Sequence, residues 1–161
     1  MSPSMSATPP SRILFICMGN ICRSPLAEGI FLHHCKKRSL DDHYEVDSAG
    51  IGGWHAGDLA DPRSRAVASR HGIDLVTRSR QVTRDDFSHY CLLICMDEEN
   101  VRDLLDLGCP PEKIQTLMQY DPGSDHDHVP DPYYGGDDGF GLVFRLVEQA
   151  VGKFLDHHHP A

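Results

Sequence analysis

A loop that directly follows a buried strand constrains this chain more than any other feature of its sequence. The strand is the apolar run I-L-F-I at residues 13–16, and residues 17–25 then read C-M-G-N-I-C-R-S-P. A short strand-to-helix connection turns its backbone N–H groups inward, and the first helical turn adds unpaired N–H groups and partial positive charge. The sequence therefore predicts a pocket for a tetrahedral oxyanion at residues 17–24, which we call the Cys17 loop.

The side chains of the Cys17 loop add a nucleophile and donors to that pocket. Cys17 lies where the donors converge, so we expect a stabilised, nucleophilic thiolate at neutral pH. Gly19 permits a close backbone approach, and Asn20 tolerates a left-handed conformation. Arg23 supplies a planar fork for two phosphate oxygens, and Ser24 can donate a hydrogen bond to the sulfur. The other members of the loop are Met18, Ile21 and Cys22.

Two other interpretations of the Cys17 loop compete with this one. A lone cysteine beside a helix-capping loop is most often a buried structural residue. A nucleotide-binding loop is excluded, because no Gly-Lys-Ser/Thr follows the glycine and no Gly-x-Gly-x-x-Gly fingerprint is present. The conjunction of strand, cysteine, Gly-Asn, Arg-Ser-Pro and helix favours the phosphate pocket.

Cleavage of a phosphate ester also needs an acid, because the leaving alkoxide or phenoxide must gain a proton. Asp131 is the best candidate, within the loop-forming segment V-P-D-P-Y-Y-G-G at residues 129–136. Asp-Pro alone is a weak signal, since it recurs in the chain, but two tyrosines follow this copy. Tyr133, Tyr134 and the single tryptophan, Trp54, would give flat walls suited to a phenyl ring.

With these motifs, the sequence resembles the low-molecular-weight protein tyrosine phosphatases. The resemblance covers residues 12–157 in the expected order, and the Cys17 loop and the Asp-Pro-Tyr-Tyr segment are its most specific parts. The supporting segments are Asp47-Ser48-Ala49, Arg70-His71-Gly72-Ile73 and Cys95-Met96-Asp97-Glu98.

The resemblance implies a phosphatase that hydrolyses phosphotyrosine and small aryl phosphates, with no metal and no cofactor. Cys17 would form a phosphocysteine, and Asp131 would act first as general acid and then as base. An aromatic residue at the position of Trp54 lines the cleft in this family. In the family, relatives that act on phosphoarginine have a threonine-like residue at the position of Ile21. The aliphatic side chain of Ile21 therefore favours an aryl phosphate as substrate.

The resemblance also implies a group of supporting residues around the loop. Asn20 would be held strained by hydrogen bonds to Ser24, Ser48 and His71, and Asp97 would lie at a strand end near the site. The residues alone leave plainer roles open. Ser48 could form a turn, His71 could cap a helix, and Asp97 could be a helix N-cap.

Three alternative functions remain on the same scaffold. An arsenate reductase needs further thiols; Cys95 could supply one, but residues 97–108 contain no partner before Cys109. A phosphoarginine phosphatase is the second alternative. A phosphotyrosine-binding module without activity is the third, although such a protein would usually lack Cys17 or Asp131.

Length and composition predict one domain with a phosphoprotein as its partner. Of the 161 residues, the first 11 are rich in serine and proline and are expected to form a disordered tail, which leaves residues 12–157 as the domain. The net charge of −9 argues against nucleic acid and against an anionic membrane surface. The sequence leaves the oligomeric state open, a weak homodimer included.

The cysteines indicate a cytoplasmic, redox-sensitive protein rather than a zinc protein. None of the six cysteines forms a C-x-x-C pair, and we find no secretory signal, so we expect reduced thiols and no metal site. Cys17 and Cys22 share one loop, so an oxidised Cys17 could be captured as a disulfide.

Hydrophobic patterns predict an α/β fold. Strands are expected at residues 13–16, 44–48, 90–96 and 114–118, and helices at residues 24–37, 63–71, 97–107 and 138–155. Alternating strands and helices are typical of a single-domain open, doubly wound parallel sheet, here of about four strands with helices on both faces.

Overall fold

The chain forms an α/β fold around one four-stranded parallel sheet. The structure, a computed structural model, describes residues 11–132 and 137–160. The strands follow the order β2-β1-β3-β4 across the sheet. They are β1 (Arg12–Cys17), β2 (Glu45–Gly50), β3 (Leu92–Cys95) and β4 (Ile114–Thr116). The α-helices are α1 (Arg23–Lys37), α2 (Pro62–Ser69), α3 (Arg84–His89), α4 (Glu98–Asp106) and α5 (Asp137–His158).

The predicted parallel sheet and its helices are confirmed, with shifts of a few residues at the ends of elements. The sequence pattern missed α3, which is only six residues long, so it has little helical periodicity to detect. It also missed two short 3₁₀ turns, Pro111–Lys113 and Leu117–Tyr120. Most of the predicted N-terminal tail, together with Tyr133 and Tyr134, lies outside the described residues.

The core lies on both faces of the sheet, as the continuous apolar run of β1 requires. Ile13 and Phe15 face one cluster, which α1, α2 and α5 complete. Leu14 and Ile16 point to the opposite face, where α3 and α4 contribute apolar side chains. All four side chains are fully buried, so β1 is the central strand to which both layers are fixed.

The sheet order places one crevice at the carboxyl ends of β1 and β3. From β1 the chain continues to β2 on one side, and β3 later joins β1 on the other side. Ligands of open α/β sheets bind where the connections diverge in this way. Ile16 pairs with Cys95, so Cys17, the last residue of β1, and Asp97, two residues after β3, both lie at this crevice.

Within the described ranges, no helix combines the length and the apolar character needed to cross a bilayer.

Candidate active site

The backbone of the Cys17 loop is held from outside by its carbonyl groups. The donors are the backbone N–H groups of Ile51, Gly52 and Asp61 and the hydroxyls of Ser64 and Ser79. They bond the carbonyl oxygens of Cys17, Met18, Ile21, Cys22 and Gly19, respectively. Because a trans peptide places N–H opposite C=O, outward carbonyls aim the following N–H groups into the loop. The result is the cradle of donors that an oxyanion needs.

The sulfur of Cys17 lies at the floor of this cradle, at the amino end of α1. Cys17 is 2% exposed. Its Sγ lies 3.0 Å from Ser24 Oγ and 3.5 Å from the Ser24 backbone N, which donates to it. A thiolate at this point would therefore be stabilised by two donors from the first turn of α1.

Arg23 is anchored by one end of its guanidinium group. Its Nη1 donates to Asp97 Oδ2 at 2.6 Å and to the backbone carbonyl of Val129 at 3.0 Å. Burial opposes the charged form of Arg23, but the negative charges of Cys17, Asp97 and Asp131 outweigh burial and raise its pKa. Both anchoring bonds use Nη1, while Nη2 lies 3.7 Å from Asp131 Oδ2.

Asp97 has both roles that the sequence allowed. Its Oδ1 accepts from the backbone N of Asn100 at 2.9 Å and caps α4, while its Oδ2 binds Arg23. One carboxylate therefore joins α4 to the pocket, because it follows β3 and begins the next helix.

Asp131 lies at the mouth of the pocket with its side chain 39% exposed. Its Oδ2 is 3.7 Å from Arg23 Nη2, so the carboxyl faces the same space as the sulfur. The cleft has a volume of about 310 Å³, and its walls come from the Cys17 loop, Trp54, His55 and Asp131. The structure thus brings Cys17, Arg23 and Asp131 together around one cavity.

Asn20 adopts the left-handed conformation that the sequence suggested, with φ of 57°. Its Nδ2 donates to Ser24 Oγ at 2.8 Å and to Ser48 Oγ at 3.0 Å. The prediction that His71 is the third hydrogen-bond partner of Asn20 is wrong. The backbone N of Arg80 takes that place and donates to Asn20 Oδ1 at 3.0 Å.

His71 lies elsewhere because α2 ends before it. The exposed ring of His71 stacks on Phe144 of α5, with centroids 4.0 Å apart, and its Nδ1 lies 3.1 Å from the carbonyl oxygen of Val67. The chain returns to the Cys17 loop only at residues 79–80, so His71 supports helix packing rather than the pocket.

Trp54 and His55 form an aromatic wall of the cleft. Trp54 is 72% exposed, and its ring lies over Gly52, where a Cβ atom would be 2.0 Å from the ring. His55 was missed by the sequence analysis, although it directly follows Trp54. A Cβ atom at Gly19 would lie 3.2 Å from the His55 ring, so Gly19 allows this close approach without a shift of the ring.

Glu28 was also missed, and it lies beneath the Cys17 loop. It is 4% exposed, and its Oε1 accepts hydrogen bonds from Ser48 Oγ at 2.7 Å and from Thr77 Oγ1 at 3.3 Å. The available sequence signal was its spacing: Glu28 is four residues after Ser24, so both side chains share one face of α1. Burial, the largest cause, and the charge of Asp47 together raise the pKa of Glu28 to about 7, against the opposing effects of the two hydrogen bonds and of Arg80.

Cys95 and Cys17 lie on opposite faces of the sheet. Cys95 is fully buried in the cluster with Leu14 and Ile16, whereas Cys17 belongs to the cluster on the α1 side. Burial raises the pKa of the Cys95 thiol well above its ordinary value. Across residues 11–132 and 137–160, no group of three or more histidine, cysteine or acidic side chains is placed to hold a metal ion.

Comparison with known proteins identifies relatives over almost the whole chain. The model of the family "Low molecular weight phosphotyrosine protein phosphatase" matches residues 12–159. A low molecular weight protein-tyrosine-phosphatase from Streptomyces coelicolor is 45% identical over 151 residues, which are 89% of this chain and 91% of that protein.

Solved structures share the same fold. A protein tyrosine phosphatase from Entamoeba histolytica, crystallised with Hepes in its active site, superposes with a TM-score of 0.86 at 36% identity and covers 90% of this chain and 94% of its own. A Drosophila arginine phosphatase superposes with a TM-score of 0.84 at 32% identity and covers 91% of this chain and 97% of its own.

Replacing Glu28 by glutamine tests its buried charge. The folded pKa of about 7 exceeds the ordinary value of 4.5, so its contribution to stability is full below pH 4.5 and is lost as pH rises through 7. The loss is on the order of 3 kcal/mol. We expect thermal unfolding to show Glu28→Gln gaining stability over the unaltered protein between pH 5 and pH 8.

Glu112→Gln, at an exposed glutamate, is the control for this measurement. A stability difference that stays constant across the same pH range for Glu28→Gln would contradict a buried carboxylate that titrates there.

Proposed function

Because the chain belongs to the low molecular weight phosphotyrosine protein phosphatase family, we propose that it hydrolyses phosphotyrosine by covalent catalysis on Cys17. The observation that supports this most directly is the convergence of a sulfur, a guanidinium and a carboxyl on one cavity lined by backbone amides. Activity as a protein tyrosine phosphatase follows from the family; the roles of individual residues are the proposal.

In the first step, the Cys17 thiolate attacks phosphorus in line with the aryl oxygen. The S–P bond forms as the P–O bond breaks, and Asp131 gives its proton to the leaving phenolate. The Arg23 guanidinium group and the loop amides stabilise the equatorial oxygens in the transition state.

In the second step, water hydrolyses the phosphocysteine. Asp131, now ionised, takes a proton from the water molecule. The water oxygen bonds to phosphorus at the same time, and the S–P bond breaks. Ser24 Oγ, 3.0 Å from the sulfur, stabilises the departing thiolate by a hydrogen bond. None of these steps draws on a metal or a cofactor.

The walls of the cleft support an aryl phosphate as substrate. Trp54 and His55 provide flat surfaces above the cradle, and the sulfur lies at its floor. A phenyl ring is long enough to bring its phosphate to Cys17 while it contacts Trp54, whereas a shorter phosphoserine side chain loses that wall. The predicted contributions of Tyr133 and Tyr134 fall outside the described residues.

An arsenate reductase is disfavoured by the position of the second thiol. That chemistry passes an oxidising equivalent from Cys17 to another cysteine. The Cys95 side chain lies on the other face of the sheet and is fully buried, so it does not face the pocket.

Removing the nucleophile or the acid tests the mechanism. We expect Cys17→Ser to abolish hydrolysis of p-nitrophenyl phosphate and of a phosphotyrosine peptide. Asp131→Ala should lower kcat for phenyl phosphate by about 10²–10⁴-fold, with a smaller loss for p-nitrophenyl phosphate, whose leaving group needs less protonation. Asp127→Ala, an exposed aspartate on the same segment, is the matched control.

Rapid quenching of the reaction should detect phosphate bound to Cys17 in the unaltered protein. Turnover that persists in Cys17→Ser, or a loss in Asp131→Ala that is equal for both leaving groups, would contradict the assigned roles.

A substrate comparison distinguishes phosphotyrosine from phosphoarginine, which the Drosophila neighbour makes relevant. With one peptide sequence carrying either group, we expect kcat/KM at least about tenfold higher for phosphotyrosine, because the buried side chain of Ile21 presents an aliphatic surface to the pocket. In Ile21→Thr, the ratio of kcat/KM for the phosphotyrosine peptide to kcat/KM for the phosphoarginine peptide should be smaller. A preference of the unaltered protein for phosphoarginine would overturn the assignment.

Mild peroxide tests whether Cys22 protects the nucleophile. Peroxide converts the Cys17 thiolate to a sulfenic acid, and the Cys22 thiol then forms a disulfide with release of water. Burial raises the pKa of Cys22 to about 12, so Cys22 is not itself the first site of oxidation. We expect a reducing thiol to restore activity in the unaltered protein but not in Cys22→Ser.

Cys91→Ser removes a partly exposed thiol outside the pocket and serves as the control. Full recovery of peroxide-treated Cys22→Ser would contradict capture by Cys22.

A further inference from the structure

A continuous chain of hydrogen bonds joins the sulfur of Cys17 to a buried carboxyl group. Cys17 Sγ lies 3.0 Å from Ser24 Oγ, which accepts from Asn20 Nδ2 at 2.8 Å. Asn20 Nδ2 also donates to Ser48 Oγ at 3.0 Å, and Ser48 Oγ donates to Glu28 Oε1 at 2.7 Å. All five residues are at most 4% exposed, so solvent does not compete for these bonds.

The direction of this chain is set at Asn20. The backbone N of Arg80 lies 3.0 Å from one end of the Asn20 amide, and a backbone N–H can only donate. That end of the amide is therefore the oxygen, Oδ1. The two hydrogens of Nδ2 must then point to Ser24 and Ser48, which both act as acceptors towards Asn20.

Each serine has one proton, and its remaining neighbour can accept that proton: the Cys17 sulfur, as the thiolate of the proposed mechanism, for Ser24, and Glu28 Oε1 for Ser48. Ser24 accepts from Asn20, so its hydroxyl donates to the Cys17 sulfur. Ser48 accepts from Asn20 as well, so its hydroxyl donates to Glu28. The far end of this chain of hydrogen bonds is thus an acceptor, Glu28 Oε1. Without that acceptor, the Ser48 proton could turn towards Asn20 Nδ2, where it would repel the amide hydrogen that Asn20 donates to Ser48.

Building on the phosphocysteine mechanism proposed above, we propose that Glu28 is a positioning residue for catalysis. By accepting the Ser48 proton, Glu28 keeps Ser48 as an acceptor for one amide hydrogen of Asn20. Glu28 thereby supports the orientation, set by the Arg80 N–H, in which the other amide hydrogen goes to Ser24 and the Ser24 hydroxyl is available to the sulfur of Cys17. Glu28 itself touches neither the sulfur nor the cleft, and it acts through β2 and the Cys17 loop.

The surroundings of Glu28 suit an acceptor. Thr77 Oγ1 donates to the same Oε1 at 3.3 Å, from the segment that precedes α3. The charged groups that act on Glu28 are Asp47 on β2 and Arg80, with opposite effects on its ionisation. Neutral or ionised, the carboxyl group retains an oxygen that accepts from Ser48, so an amide at this position can replace it.

The second catalytic step depends most on this arrangement. When the S–P bond breaks, the sulfur regains its negative charge, and the Ser24 hydrogen bond stabilises it. If Ser24 no longer donates its hydrogen bond to the Cys17 sulfur, hydrolysis of the phosphocysteine should therefore slow more than its formation. A general packing defect would slow both steps together.

Variants of Glu28 and of Thr77, its second hydrogen-bond partner, distinguish a positioning role from a general packing defect. The substrate for these measurements is p-nitrophenyl phosphate. We expect Glu28→Leu to lower kcat about tenfold or more, as loss of one hydrogen bond to a charged group implies, with a larger pre-steady-state burst of p-nitrophenol. Glu28→Gln should recover most of that rate. Thr77→Val removes the other bond to Oε1 and should leave kcat and the burst unchanged.

The pH dependence of Cys17 alkylation by iodoacetate gives an independent readout. In Glu28→Leu the midpoint should move to higher pH, because Ser24 no longer donates reliably to the thiolate. Ser48→Ala breaks the same chain one link closer to the sulfur, and it should reproduce the kinetic effect even where Glu28→Leu fails to fold.

Equal losses in kcat and kcat/KM without a change in burst, or Thr77→Val resembling Glu28→Leu, would overturn the role of Glu28. The proposed function would fail differently: the unaltered protein itself would then show no burst and no phosphate on Cys17.

Discussion

The outward hydrogen bonding of the Cys17 loop is the constraint on which the rest of the site depends. N–H dipoles that point into one small space repel one another, so the loop needs external bonds to keep them there. Those bonds come from three separate parts of the chain: residues 51–52 after β2, residues 61–64 at the start of α2, and residues 79–80. The fold around the sheet brings these parts to one place, and this explains why a single domain of this size is needed to hold a short loop.

The loop contains one strained residue, Asn20, whose left-handed backbone conformation is offset by hydrogen bonds of its side chain. A non-glycine residue in this conformation costs about 1–2 kcal/mol. The side chain of Asn20 makes three hydrogen bonds in return, to Ser24, Ser48 and the backbone of Arg80. Glycine would relieve the strain at this position, but it would lose the side chain that links Ser24 to Ser48. The conformation and the hydrogen-bond direction therefore depend on the same side chain.

Sequence reasoning could find the parts of the site that are local in the chain. The spacing from Cys17 to Arg23 predicts the strand, the loop and the helix end, because one short connection contains all of them. His55 and Arg80 were missed, since each reaches the loop from a distant segment whose path the pattern does not reveal. His71 was misassigned for the same reason: the sequence shows that a segment follows α2, but not which of its residues returns to the loop. Glu28 is intermediate, because its helical spacing from Ser24 was visible while its burial was not.

The charges at the pocket show what a protein with a net charge of −9 needs if it is to bind a phosphate dianion as proposed above. One buried cation, Arg23, is surrounded by three groups that can be anionic: Cys17, Asp97 and Asp131. If all three were ionised, the side chains alone would repel the substrate, and only the amides and the helix end would attract it. Asp97 is committed to Arg23 and to the cap of α4, so Asp131 is the acidic side chain that the proposed mechanism can use for proton transfer.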